Sequence, residues 1–139
     1  MPAGYSGTPL AKKLGFADGA SVYAVGMPAS VKSEIIEAAK PKFVAKATKG
    51  QAAAHVFATK AKALEAELKK LRSQLAPDGM VWVSWPKKSS GVATDLSDTV
   101  VRDTALALGL VDIKVCAVDA TWSGLKFVIP KVLRVKRPT

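Results

Sequence analysis

The segment Trp85-Pro86-Lys87-Lys88-Ser89-Ser90-Gly91 gathers groups that suit an anion. Lys87 and Lys88 would neutralise charge, and Ser89 and Ser90 would donate hydrogen bonds. Gly91 lets backbone N–H groups turn toward one point, forming an anion-binding concavity. Trp85 offers an apolar wall or a face on which a base stacks. The phosphate-cradling pattern G-x-x-x-x-G-K-[ST] is absent, so this is not a P-loop. The same residues also make a solvated connection. Asp95 and Asp98 already complement the positive end of the helix expected next. The expected ligand is an anionic small molecule, phosphate- or nucleotide-like.

A second polar group lies near the start of the chain. Ser6 and Thr8 carry hydroxyls, and Lys12 follows them in the first helix. By themselves these hydroxyls read as helix caps. Trp122 falls in an expected turn, where it either packs over the sheet end or meets a ligand. Trp82 and Trp85 are three apart on a strand and therefore face opposite ways. His55 has no second His or Cys nearby in sequence and no recognisable hydroxyl nucleophile, so it reads as structural. Cys116, between Val115 and Ala117, reads as a small buried hydrophobe. Asp95, Asp98 and Asp103 are spaced as a helix surface, not as a catalytic pair. No metal site is expected.

The elements that would position these groups alternate between strand and helix. Thr8 as cap, Pro9 at the first helical position and Gly15 as the left-handed stop frame a short first helix. Residues 21–26 form a strand. Ser30 caps a helix through Lys40, which Pro41 ends. Residues 43–45 and 55–58 are short strands. Leu64, Leu68, Leu71 and Leu75 make one stripe of a helix over 60–75. Residues 80–85 form a central strand, and Thr94 or Asp95 caps a helix ending at Gly109. Residues 112–118 and 125–129 form an antiparallel hairpin. This order predicts an α/β, Rossmann-like, mostly parallel sheet with a C-terminal antiparallel hairpin and helices on both faces. It occupies residues 1–130, followed by a basic tail over 131–139. The join between 43–45 and 55–58 is short for a parallel crossover. Either those strands pair antiparallel, or the connection runs over the sheet without a helix.

A length of 139 residues suits one domain with one core. The formal net charge is +10. Lys40, Lys42, Lys46 and Lys49, with Lys131, Arg134, Lys136 and Arg137, carry most of the excess. These clusters either keep the protein soluble or attract phosphates, nucleic acid or acidic surfaces. No aromatic–basic interleaving of the single-strand-binding kind accompanies them. One Cys excludes an internal disulfide framework. No apolar run approaches the ~20 residues of a membrane span, and the first residues do not read as a signal peptide. The expected compartment is the cytoplasm.

Two stretches resemble class I S-adenosylmethionine-dependent methyltransferases. Leu10 to Gly26 resembles the entry to their first strand, and Leu75 to Val81 their turn into the fifth. The closing hairpin, Leu110 to Ile129, matches their sixth and seventh strands in kind. Their entry helix lies beside the sheet, so the resemblance, and it alone, implies that Tyr5 to Lys12 reach the same crevice as Lys87 and Lys88. Residues 3–15, 83–96, 110–119 and 121–126 are in addition similar to a bacterial family of small proteins of unknown function. The resemblance implies a reduced methyltransferase fold and no particular activity. It also implies where an adenosyl cofactor would lie, after the first strand. There Gly26 is followed by Met27 and Pro28, so proline takes the place of a second glycine. Counting twenty residues on reaches Lys46, where a ribose-binding carboxylate is expected. On those grounds S-adenosylmethionine is expected not to bind. The leading expectation is a non-catalytic binding or regulatory module for an anionic ligand. A divergent methyltransferase or other transferase, and a nucleic-acid-binding protein, are the alternatives.

Overall fold

The computed structural model describes residues 8–134. Six strands form one sheet: β1 (Ser21–Val25), β2 (Lys42–Val44), β3 (Gln51–Phe57), β4 (Leu75–Pro86), β5 (Val111–Ala117) and β6 (Trp122–Val128). Their spatial order is β2-β1-β3-β4-β6-β5. The first four strands are parallel, and β6 runs antiparallel to both β4 and β5. The sheet is therefore the expected mixed α/β type with a closing antiparallel hairpin.

Helices α1 (Leu10–Leu14) and α2 (Ala29–Ile36) cover one face. Their Leu10, Leu14, Val31 and Ile35 pack on Val22, Ala53, Phe57 and Trp82. Helices α3 (Ala61–Gln74) and α4 (Asp98–Ala107) cover the other, over Ala54, Val56, Val81 and Val83. Leu64, Leu68 and Leu71 are completely buried there, as their spacing predicts. Each such leucine is worth about 1.5–3 kcal/mol of burial. Leu75 belongs to the same cluster but has left the helix and opens β4. Gly79 lies where β4 bulges between Leu75, opposite Gln51, and Met80, opposite Ala53. A Cβ at that position would stand 2.9 Å from Gln51 O and 2.8 Å from Leu75 Cγ.

β2 and β3 are not neighbours, because β1 lies between them and pairs parallel with each. The connection over 45–50 crosses without a helix. Ala47 fills the space a helix would cover, and Gly50 N–H donates to Gln74 O at 2.8 Å. The buried Gln51 side chain fixes the entry to β3 by donating to Ser21 O and Ala53 O, each at 3.1 Å.

Four local expectations are corrected. α1 has Pro9, not Thr8, as its capping residue, and no side chain caps it; Gly15 does end it in the left-handed conformation. α2 has Pro28 as cap and stops at Ile36, short of Lys40. α4 is capped by Ser97, whose Oγ accepts from Val100 N–H at 3.2 Å. Trp122 is the first residue of β6, opposite Pro86, and not part of the turn. The residues of the tail beyond Arg134 lie outside the described residues; Lys131–Leu133 forms a single 3-10 turn.

Candidate functional site

Ligands in open α/β sheets bind outside the carboxyl ends of the strands. At that edge β1 ends in Val25, and Gly26 follows. Gly26 has φ +64°, and a Cβ there would sit 3.0 Å from Phe57 O at the end of β3. Only glycine allows this approach of β1 to β3 without strain. Beside it opens a cavity of about 330 Å³, lined among others by Gly26, Met27, Lys32, Phe43, Val44 and Ala45. That volume lies at the lower end of small-molecule pockets. Its walls come from the ends of β1 and β2, and its one charged lining residue is Lys32. The Lys32 ammonium lies 5.3 Å from the centre of the Phe43 ring.

A second cavity of about 750 Å³ lies at the end of β4. Trp85, Pro86, Lys87, Lys88, Gly91 and Asp98 are among its lining residues. Trp85 is also part of the core on the α3 and α4 side, being 7% exposed. Lys87 is fixed through its backbone: its N–H donates to Thr121 O at 2.7 Å. Lys88 is exposed and begins a 3-10 turn over Lys88–Ser90. Gly91 is left-handed, with φ +76° and open space around it.

Several expected site residues lie elsewhere. Ser90 Oγ donates to Lys87 O at 2.6 Å and accepts from Val92 N–H at 3.2 Å, so the turn uses its hydroxyl. Neither Ser89 nor Ser90 lines the cavity. Trp122 packs edge-on against Phe57 on the opposite face, with ring centres 5.1 Å apart. Lys12 lines a separate recess with Ala38 and Ala39, where α2 ends. The short α1 thus does not deliver it to the crevice. Thr8 lines neither cavity, and Ser6 lies outside the described residues.

Thr94 and Asp95 hold the loop to the start of α3. Thr94 Oγ1 donates to Thr59 O at 2.7 Å, and Asp95 Oδ1 accepts from Ala61 N–H at 2.7 Å. Asp95 therefore serves the amino end of α3 instead of α4. His55 is wholly buried, stacked 4.2 Å from Phe57, and burial pushes its pKa down to about 3. Its Nε2 lies 2.7 Å from Ser84 Oγ, a hydroxyl that the sequence gives no sign of placing there. Burial pushes the Cys116 thiol up, away from the thiolate that a nucleophile needs. Among the described residues no cluster of His, Cys, Asp or Glu is placed to hold a metal, and no helix is long and apolar enough to cross a membrane.

Comparison with solved structures identifies the architecture. The fold is Rossmann-like and methyltransferase-like. The magnesium protoporphyrin IX methyltransferase of Synechocystis, solved with bound S-adenosylmethionine, matches with a TM-score of 0.55 at 10% identity. That match covers 86% of this chain and 74% of the other. Aeropyrum pernix fibrillarin, with natively bound S-adenosylmethionine, matches at 0.53 and 12% identity, over 90% of this chain and 70% of its own. A TehB-like S-adenosylmethionine-dependent methyltransferase from Corynebacterium glutamicum matches at 0.51 and 11% identity, over 91% and 90%. No protein-family model and no curated protein matches the chain, so the similarity to a family of unknown function gains no support.

These neighbours overturn the expectation that S-adenosylmethionine does not bind, because structures of this architecture hold it. The geometry answers the objection from Pro28 but not the lack of a ribose-binding carboxylate. Pro28 is the cap of α2, where no intrahelical partner awaits its N–H, and it does not line the cavity beside Gly26. Lys46 lies two residues past the end of β2 and is also absent from the lining. Val44 and Ala45 line the cavity at the end of β2, so no carboxylate stands there. Lys32 of α2 lines the cavity unexpectedly, as do Ala24, Phe43, Val44 and Ala45. For the last four the signal is position alone, at the carboxyl ends of the first two strands.

Proposed function

We propose that the chain is a divergent S-adenosylmethionine-dependent methyltransferase. The observation that carries this reading is the cavity at Gly26, between the carboxyl ends of β1 and β2 of a methyltransferase-like sheet. Met27, Phe43 and Val44 supply apolar surface for an adenosyl group. Lys32 supplies a cation for the amino-acid carboxylate. No carboxylate is among the lining residues, so the ribose hydroxyls depend on main-chain acceptors, and weak affinity follows.

When bound, the cofactor supplies an electrophilic methyl group on a sulfonium, and the sulfur keeps the electron pair of the broken bond. The protein's part is to position an acceptor in line, which can supply roughly 7–11 kcal/mol of such a barrier. The cavity over Trp85, Lys87 and Lys88 is the proposed acceptor side. Its two lysines favour an anionic acceptor, and Trp85 favours one with a flat apolar part. The comparisons favour this reading over a non-catalytic binding module.

Calorimetric titration with S-adenosylmethionine and S-adenosylhomocysteine tests it. Saturable binding to the wild-type chain, lost in Gly26→Val, supports the reading. No binding of either compound at millimolar concentration contradicts it.

A further inference from the structure

The opposite, amino-terminal edge of the sheet carries a larger cavity, of about 760 Å³. Arg72 and Gln74 reach it from the last turn of α3, Lys49 from the connection before β3, and Leu75 from the start of β4. Ile129 and Leu133 close it from the segment after β6.

The polar groups here are unmatched. Arg72 Nε and Gln74 Oε1 are buried with no hydrogen-bond partner. Gln74 spends its other end on Ala47 O, at 3.4 Å from Nε2, so Oε1 is left as an acceptor without a donor. Arg72 runs past Gly109, where an added Cβ would come within 3.4 Å of Nε. The ion pair among the described residues joins Arg102 to Asp112, not Arg72 or Lys49 to any acid. Asp78 is exposed and is not among the lining residues. Buried polar groups in native proteins are nearly always satisfied, and a cation that lacks an acid partner is the natural place for an oxyanion.

We propose that this cavity is a second ligand site, for a phosphorylated small molecule. Arg72 and Lys49 hold the phosphate, and the organic part lies on Leu75, Ile129 and Leu133. Both orphaned atoms are covered, so the phosphate meets the outer part of the guanidinium and they form the polar floor beneath it. The planar fork of arginine matches phosphate oxygens, and a lysine beside it supplies the second charge. The carboxyl end of α3 disfavours an anion here, but Gly50 N–H already occupies Gln74 O and blunts it. The site stands apart from the methyltransferase reading, since it uses the other edge of the sheet.

The test is calorimetric titration of the full chain with ribose 5-phosphate, with ribose as control, at ionic strength matched with sodium chloride. Saturable binding of the phosphate is expected, weakened about tenfold or more in Arg72→Met. Lys49→Met is expected to weaken it too, and the double change Lys87→Ala/Lys88→Ala to leave it as in the wild type. Absence of saturation, or wild-type affinity in both methionine variants, overturns the proposal and leaves Arg72 as a helix-end residue only. Should Arg72→Met fail to fold, amide shifts of the wild-type chain decide. Shifts at Gly50, Ser73 and Gln74 support the site, and shifts confined to other residues overturn it.

Discussion

His55 Nε2 lies 2.7 Å from Ser84 Oγ, and neither side chain reaches solvent. The pair bridges β3 and β4, with His55 directly opposite Trp82 in the register. A histidine beside a serine invites a nucleophilic reading. Complete burial among Phe16, Phe57 and Trp82 assigns it instead to the core.

Burial gives that histidine a measurable signature. Its pKa falls from 6.5 to about 3 in the folded chain. Between those values the unfolded state binds a proton that the folded state does not. Stability is therefore fully present above pH 6.5 and is lost as pH falls toward 3, with a slope of about 1.4 kcal/mol per pH unit from this group. Urea unfolding across that range checks it. In His55→Gln the histidine component of the slope disappears; an unchanged slope would contradict the assignment.

Asp95 offers a second test. Its carboxylate accepts from Ala61 N–H, the first residue of α3, from 34 positions away. Asp95→Ala is expected to cost about 0.5–2 kcal/mol, the usual worth of a helix cap. Asp95→Asn retains an acceptor oxygen and should lose less. Thermal unfolding of the two variants distinguishes them, and equal losses would speak against the cap.

Tyr23 extends the pH prediction to the alkaline side. Its hydroxyl donates to Glu67, and burial followed by that bond raises its pKa to about 12. The folded state then keeps a proton that the unfolded state loses from pH 10 upward. Stability from this group is complete below pH 10 and declines through pH 12. Tyr23→Phe should flatten that decline in denaturant titrations at alkaline pH.

Gly26→Ala should be costly beyond the loss of a glycine. A left-handed φ costs an L-residue roughly 1–2 kcal/mol, and the 3.0 Å approach to Phe57 O adds to it. Chemical denaturation measures the loss. A neutral effect would mean that β1 and β3 are not held together there.

Much of the fold was legible because it depends on local pattern. Leu64, Leu68 and Leu71 announce their face through spacing, and Gly15 announces its stop. The two tryptophans of β4 were separable by parity, and Trp82 and Trp85 do lie in different core layers. What depends on register or on distant contact was not legible. Nothing near His55 in the chain points to Ser84, and nothing near Asp95 points to Ala61. The helix-less crossing from β2 to β3 rests on Ala47 filling a gap, which a single small residue does not advertise. The candidate site divided in the same way. Trp85, Lys87, Lys88 and Gly91 come together because they follow one strand. Lys12 and Trp122 do not join them, because their places depend on how α1 and β6 pack.

The proposed methyltransferase reading requires an adenosyl cofactor in the cavity at Gly26. The most direct test is a backbone-amide titration of the labelled wild-type chain with S-adenosylhomocysteine, followed by nuclear magnetic resonance. Saturable shifts are expected at Gly26, Met27, Val44 and Ala45, with Gly50, Ser73 and Gln74 unmoved. No shift at millimolar ligand, or shifts that leave Gly26 and Val44 in place, would contradict it.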